Sequence, residues 1–154
     1  MERRRALVSE EAESMINEEF ELVATANITE ETKSVEIQLS KACTELYLFC
    51  ENLKSTANSQ LIIKLGEEVV LTGINSEISQ NGQNTIQHIK KVGKAWIRTG
   101  NNHGTYRLDV GIAQMYRLMK ISDKWTPESI TRITLSALYD SHKLTSGTIE
   151  IYGR

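Results

Sequence analysis

The side chains best suited to chemistry in this sequence are scattered rather than grouped. The three histidines, His88, His103 and His142, lie at unrelated spacings, and neither cysteine has a partner at CxxC distance. The sequence contains no glycine-rich phosphate loop and no GxSxG nucleophile motif. The adjacent Ser141 and His142 are better explained as turn polarity than as half of a nucleophilic site. We therefore expect no enzymatic activity, no metal site and no cofactor.

The two cysteines, Cys43 and Cys50, are seven residues apart, and the geometry of a strand or a helix opposes a disulfide between them. On a strand, at ~3.3 Å per residue, their Cα atoms would stand ~23 Å apart with the side chains on opposite faces. On a helix they would share a face but stand ~10 Å apart, beyond the ~7 Å limit for a disulfide. We expect both to be free and buried as small apolar groups.

One basic stretch, residues 90–98, interleaves cations with an aromatic residue. It contains Lys90, Lys91, Lys94, Trp96 and Arg98. A charged groove with stacked aromatics binds single-stranded nucleic acid, whereas lysines on an edge strand prevent unwanted strand pairing. Because the pI is near 6.0 and no nucleic-acid motif is present, the edge-strand interpretation is favoured and no nucleic-acid partner is expected.

Aromatic residues and an amide-rich turn leave sugar binding open. Trp and Tyr combine a large contact area with a polar handle, although most aromatic residues of a small sandwich fill its core. Hairpin tips are where ligands and neighbours are met, and residues 100–104 form such a turn. The predicted ligand or partner contacts are Trp96, Asn101, Asn102, His103 and Tyr106.

Alternation of apolar and polar residues predicts strands over most of the chain. Residues 35–39, 61–65, 106–112 and 149–151 alternate in this way, which is typical of strands with one buried and one wet face. Residues 46–49 form a continuous apolar run, as in a strand covered on both sides. Residues 95–100 and 105–109 are interpreted as a hairpin. The fold class predicted is all-β, an antiparallel β-sandwich of jelly-roll-like form.

An acidic arm, residues 1–19, is expected to precede a sandwich domain at residues 20–154. Residues 1–36 carry ten glutamates against three arginines and one lysine, and the rest of the chain has a positive balance. Ser9 could cap a short helix with Ala12, Met15, Ile16 and Phe20 on one face. Such a short helix has nothing to bury against alone. The arm is therefore expected either to stay a solvated terminus or to dock on its own sandwich or on a neighbour, with Arg3, Arg4, Arg5, Met15 and Ile16 as its contact residues.

Residues 130–154 carry a further pattern. Residues 130–135 are followed, after a polar gap, by the segment Leu144–Gly153, in which a Ser-Gly turn leads into a last strand ending in Tyr-Gly. This ending resembles that of many small bacteriophage virion proteins, and residues 20–31 are similar to their opening strand. In such proteins two adjacent strands close a β-sandwich. The resemblance implies that Ile133 and Leu135 face inward from a strand paired with that of Ile149 and Ile151.

The resemblance implies a structural component of a phage particle: tail, baseplate, fibre or head decoration. This chain departs from it at Leu144, where an aromatic residue is usual, and at Ser146-Gly147, where the order is often reversed. Such components are symmetric assemblies, so the expected partners are further copies of the chain, as a trimer in a fibre-like position, and other virion proteins. The alternative is a carbohydrate-binding module that recognises host-surface glycan at a receptor-binding tip.

The expected location is the virion, after synthesis in the host cytoplasm. The basic start of the chain, residues 1–5, has no apolar stretch behind it, so no signal peptide is expected. No window approaches the ~20 apolar residues of a membrane span, so membrane insertion is not expected.

Overall fold

A computed structural model of the chain describes residues 20–66, 69–73, 77–93, 95–101, 116–120 and 127–154. Within these ranges every regular element is a strand, which confirms the all-β prediction. The strands are β1 (Glu21–Ile28), β2 (Ser34–Cys43), β3 (Glu45–Ser55), β4 (Ser59–Leu65), β5 (Val69–Gly73), β6 (Glu77–Ile78), β7 (Gln83–Val92), β8 (Ala95–Asn101), β9 (Tyr116–Lys120), β10 (Ile130–Ala137) and β11 (Leu144–Gly153). The predicted arm and helix at residues 1–19, and the predicted strand at residues 106–112, lie outside the described residues.

The strands form two antiparallel sheets. Sheet A has the order β1-β11-β3-β7-β8, and sheet B the order β2-β10-β4-β5-β9, with β6 pairing beside β4. The chain passes repeatedly from one sheet to the other. Apolar side chains from both sheets meet in one shared cluster, which includes Leu48 and Ile151 of sheet A and Ile63 and Leu135 of sheet B. The arrangement is β-sandwich-like.

The expected pairing of the last two strands is wrong. β10 pairs with β2 and β4 in sheet B, whereas β11 pairs with β1 and β3 in sheet A. Residues 138–143 carry the chain across between the sheets, and each of the two strands has two hydrogen-bonded neighbours in its own sheet. The expected inward positions are nevertheless correct, because Ile133, Leu135, Ile149 and Ile151 are all fully buried. They face each other across the core rather than along one sheet.

Strand β3 runs through the middle of sheet A and is buried on both faces from Glu45 to Cys50. Leu46, Leu48 and Cys50 belong to the core between the sheets. Because successive side chains alternate, Tyr47 and Phe49 lie on the opposite, outer face. The continuous apolar run at residues 46–49 therefore did indicate a strand covered on both sides. Cys43 and Cys50 are both free and buried, as expected.

The predicted turn at Ser146-Gly147 is also wrong, because both residues lie inside β11. The register with β3 shifts between Ser146 and Thr148, which makes this point a bulge. Gly147 has a φ of 150°, and a Cβ there would stand 2.8 Å from Cδ1 of Leu53. A glycine is required because the backbone of β11 passes directly over Leu53.

Candidate functional site

The outer face of sheet A carries a cluster of apolar and aromatic side chains that we call the aromatic face. Its members are Phe20, Leu22, Tyr47, Phe49, Ile86 and Tyr152. Strand register brings them together: Tyr47 lies opposite Tyr152 on β11, and Phe49 lies opposite Ile86 on β7. These residues come from four different parts of the sequence, so pairing of β3 with both its neighbours creates the cluster.

The rings of the aromatic face meet edge to face. The Phe20 and Tyr47 centroids are 5.1 Å apart at an interplanar angle of 68°. Those of Phe49 and Tyr152 are 5.6 Å apart at 89°. On the β7 side the imidazole of His88 stacks on Tyr47 at 4.3 Å and 15°. Edge-to-face contacts add about 0.5–1.5 kcal/mol per pair beyond the area they bury.

The aromatic face is closed to solvent. Phe49 and Tyr152 have 0% of their surface exposed, and Phe20 and Tyr47 have 8% each. The outer face of an antiparallel sheet is commonly wet and polar. Here β3 is buried on both faces from Glu45 to Cys50, and this sets sheet A apart from an ordinary sandwich sheet.

A buried carboxylate, Glu45, anchors one end of the aromatic face. Its Oε2 lies 2.6 Å from Nε2 of His88. Its Oε1 accepts hydrogen bonds from Nε and Nη2 of Arg154, each at 3.0 Å. The guanidinium of Arg154 also lies 4.8 Å from the centre of the Phe20 ring, a cation–π contact. The group ties the end of β11 to β3 and β7.

The pKa values of this group favour a neutral imidazole beside a charged carboxylate. Burial alone would raise the pKa of Glu45, but the hydrogen bonds from His88 and Arg154 and the positive charge of Arg154 outweigh it and lower that pKa. Burial lowers the pKa of His88 and outweighs the opposing effect of Glu45, and the charges of Lys90 and Arg154 lower it further. At neutral pH, His88 therefore donates Nε2–H to the Glu45 carboxylate.

A polar groove of about 680 Å³ opens at the other end of sheet A. The left-handed residue Asn52, with a φ of 54°, lies in it beside the bulge of β11. The backbone N–H of Asn52 donates to Oδ1 of Asn84 at 2.9 Å, and the Thr148 hydroxyl donates to Oδ1 of Asn27 at 3.0 Å. The groove is lined by Asn27, Ile28, Thr29, Glu51, Asn52, Asn84, Ser146, Gly147 and Thr148. Such amide, hydroxyl and carboxylate groups suit a polyhydroxylated ligand.

The predicted contact residue Trp96 lies in the core. Its indole is fully buried, and its Nε1 donates to the carbonyl oxygen of Pro127 at 3.0 Å. Arg98 is also fully buried, so two members of the basic stretch point inward and form no surface groove. β8, which holds both, ends the described order of sheet A.

The other predicted contact residues are placed only in part. The backbone of Asn101 pairs with that of Ile86. The remaining predicted contacts, Asn102, His103 and Tyr106, lie outside the described residues, as do the arm residues Arg3, Arg4, Arg5, Met15 and Ile16. Their roles stay predictions.

Neither described site was identified from the sequence. Glu45 is 43 residues from His88 and 109 from Arg154, so no local spacing signals their contact. The groove depends on bulges that shift the register of β3 and β11. The one available signal was the continuous apolar run at residues 46–49, which places an apolar layer on each face of β3.

No three His, Cys, Asp or Glu side chains come together, in the part of the chain that the structure describes, in a way that could hold a metal ion. No helix in the described ranges has the length and apolarity that crossing a membrane requires. Comparison of the chain with known protein families, curated sequences and solved structures gives no match in any of the three.

Proposed function

We propose that this chain is a non-enzymatic structural subunit of a bacteriophage particle, a tail, baseplate, fibre or head-decoration component. The observation that carries the proposal is the closed aromatic face. An apolar face on the outside of a sandwich-like pair of sheets requires a third layer to cover it. Its buried rings pack against other side chains rather than contact a substrate. The likeness of residues 130–154 and 20–31 to phage virion proteins supports the same conclusion.

The strand order supports a jelly roll as the finer description of the fold. Without β6, β8 and β9, eight strands remain, and their two sheets read β1-β11-β3-β7 and β2-β10-β4-β5. Numbered one to eight along the chain, these are the orders 1-8-3-6 and 2-7-4-5, which is the interleaving of a jelly roll. Jelly rolls form viral capsid proteins and lectins. The fold alone does not choose between them.

Assembly through the N-terminal arm and the sandwich surfaces is part of the proposal. The acidic balance of residues 1–36 and the positive balance of the remaining residues are complementary between neighbouring subunits. Such complementarity sets register and association rate more than affinity. The partners proposed are copies of this chain, as a trimer in a fibre-like position, and other virion proteins.

The test is the protein content of purified particles. Phage particles from the source lysate, banded on a density gradient, are digested and searched by mass spectrometry for peptides of this chain. The proposal predicts these peptides in the particle band at several copies per particle. Peptides confined to the soluble cell fraction would contradict it.

Carbohydrate binding is the second candidate function, and the polar groove favours it. Asn27, Asn52 and Asn84 place three amides around one opening, with Glu51 beside them, and vicinal hydroxyls of a sugar pair well with such groups. Calorimetric titration with host-wall glycan tests this. If the groove binds the glycan, the Asn27→Ala variant should bind it at least tenfold more weakly than the unchanged chain does. If the unchanged chain gives no heat of binding, the groove is not a glycan site.

A further inference from the structure

We propose that the loop between β10 and β11, residues 138–143, binds a neutral sugar ring that stacks on the side chain of Tyr139. The loop contributes no residue to the polar groove, so it is a separate site. Binding there is a property of the free chain and depends neither on the virion function nor on the groove.

The side chain of Tyr139 is turned to solvent. Tyr139 is 58% exposed and its neighbour Leu138 is 42% exposed, whereas Phe49 and Tyr152 are wholly buried. A tyrosine ring offers about 150–250 Å² of contact area. Packing within the chain leaves more than half of Tyr139 available to a ligand.

The Tyr139 ring is held in one orientation. The imidazole of His142 meets it edge to face, with the ring centroids 5.2 Å apart at an interplanar angle of 84°. The backbone N–H of His142 also donates to the carbonyl oxygen of Tyr139 at 2.9 Å, which closes a β-turn. One imidazole covers at most one face of the tyrosine ring, so the other face stays open for stacking.

The loop that carries this ring is fixed where β3 passes into β4. The backbone N–H of Leu138 donates to the Ser59 hydroxyl at 3.0 Å. That of Lys143 donates to the Thr56 hydroxyl at 3.0 Å, and the backbone N–H of Thr56 donates to the carbonyl oxygen of Lys143 at 2.9 Å. A site that is already held in shape loses little conformational entropy when it binds.

Polar groups lie beside the ring. Asp140 and Ser141, at the tip of the turn, are exposed, and a carboxylate and a hydroxyl both form hydrogen bonds with sugar hydroxyls. Nδ1 of His142 is buried without a hydrogen-bond partner among the described residues. An unpaired buried N–H is rarer than an unpaired buried acceptor. In the neutral imidazole the proton therefore lies on Nε2, which becomes a donor for the ligand.

The size of the exposed apolar surface selects a sugar over a protein partner. A stable protein interface buries about 800 Å² on each partner, and Leu138 with Tyr139 is too small to form its centre. The other large apolar side chain exposed in the described ranges, Val92, lies near the Glu45 end of β3. The loop is bonded to Thr56, beyond the opposite end of that strand. One pyranose ring matches the area of one tyrosine ring.

The charge of the loop favours a neutral sugar. The ammonium of Lys143 lies 3.7 Å from the carboxylate of Glu31, so the two charges largely cancel. Asp140 leaves a negative charge at the tip of the turn. An anionic sugar is disfavoured because like charges repel.

The experiment is a ¹H–¹⁵N NMR titration of the full-length chain with cellotetraose. Every ring substituent of a β-1,4-linked glucose is equatorial, so this sugar presents a flat C–H face for stacking. We expect a Kd of about 1 mM, with the largest shifts at the backbone amides of residues 138–143. The side-chain amides of Asn27 and Asn84 report on the groove in the same spectra.

Three variants separate stacking from other effects, and the spectrum of each shows whether it is folded. Tyr139→Ala should bind at least about tenfold more weakly, because it removes the stacking area. Tyr139→Phe should stay within about twofold of the unchanged chain, since the face of the ring makes the contact. Val92→Ala removes a comparably exposed apolar side chain elsewhere and should leave the affinity unchanged.

The matched control ligand is cellotetraose oxidised to the carboxylate at C6 of each unit. This anionic counterpart should bind at least about fivefold more weakly than cellotetraose. Equal affinity for the two sugars would overturn the neutral class of ligand.

Other results would overturn the site itself. These are no shift at about 10 mM cellotetraose, equal affinity in Tyr139→Ala, and shifts confined to the groove. Shifts of residues 138–143 that follow protein concentration rather than added sugar would identify a protein contact and also overturn it. Sugar binding and virion function can fail separately, because the first is measured on the free chain and the second on purified particles.

Discussion

The guanidinium of Arg98 on sheet A donates from Nη1 to the carbonyl oxygen of Leu71 on sheet B, over 2.9 Å inside the core. Its Nε donates to Oε1 of Gln87 at 2.7 Å, and Nε2 of Gln87 donates to the Thr85 hydroxyl at 2.7 Å. Burial lowers the pKa of Arg98 to about 9, so the group remains charged at neutral pH. One buried cation thus links the two sheets by hydrogen bonds.

Replacing Arg98 tests whether this link holds the sheets together. Arg98→Ala should lower the free energy of unfolding by about 3–5 kcal/mol, because it leaves a cavity and removes the donors to Leu71 and Gln87. Arg98→Met keeps most of the volume but lacks the same donors, so it should still lose at least about 1 kcal/mol, because the acceptors on Leu71 and Gln87 are left without them. Urea unfolding monitored by circular dichroism measures both. An Arg98→Met variant as stable as the unchanged chain would show that these hydrogen bonds do not hold the sheets together.

Replacing Gly147 should lower the free energy of unfolding far more than replacing a glycine whose only special feature is a positive φ. Gly147→Ala combines an unfavourable φ with a Cβ 2.8 Å from Leu53, and should reduce the free energy of unfolding by about 3 kcal/mol or more. Gly93 has a φ of 62°, and a Cβ added there would meet no atom within 4 Å. It is the control, and Gly93→Ala should lose only about 1–2 kcal/mol. A Gly147 loss no larger than that of Gly93 would contradict the close approach of β11 to β3.

The group formed by Glu45, His88 and Arg154 should make stability depend on pH. The folded-state pKa of His88 lies below its ordinary 6.5, so the unfolded chain binds more protons as the pH falls through 6.5, and stability drops. The pKa of Glu45 lies below its ordinary 4.5, so a second loss follows below that pH. Urea midpoints at pH 8, 6 and 5 measure the first step.

The control for this pH dependence is His88→Gln, which cannot titrate. Its urea midpoint should change less between pH 8 and pH 5 than that of the unchanged chain, while both still lose stability below pH 4.5. If the two proteins lose the same amount between pH 8 and pH 5, His88 is not the titrating group.

The cysteines should be unreactive until the fold opens. Burial raises the pKa of the Cys50 thiol to about 12, against the lowering effect of Arg98, and also raises that of Cys43. Because the thiolate is the reactive form, a disulfide reagent such as DTNB should modify fewer than about one in ten thiols in native protein over the time that denatured protein reacts fully. Rapid modification of the native chain would show that β3 or the end of β2 is open to solvent.

The sequence predicted the local strand pattern well because alternation is a property of each segment alone. The alternating segments at residues 35–39 and 61–65 lie in β2 and β4, and both cysteines are free. The partner of each strand was not predictable in this way. β10 and β11 look like neighbours in sequence, but six residues between them suffice to change sheets.

The two candidate sites depend on these partners. Tyr47 gains its contacts because β3 pairs with β7 on one side and β11 on the other. The groove depends on bulges, and apart from Asn52 and Gly147 these bulges leave little signal in the sequence. Trp96 was predicted as a contact residue from its type, although only its strand position decides that it faces the core.

The most direct test of assembly through the arm is the mass of the protein in solution by light scattering. Full-length chain is compared with chain lacking residues 1–19, and with Glu10→Lys, Glu11→Lys and Glu13→Lys combined in the full-length chain, which keeps the apolar stripe. We predict a defined oligomer for the full-length chain. The charge-reversed variant should be a folded monomer, and the truncated chain should lose the defined oligomer. A full-length monomer, or the same oligomer in all three proteins, would contradict assembly through the arm.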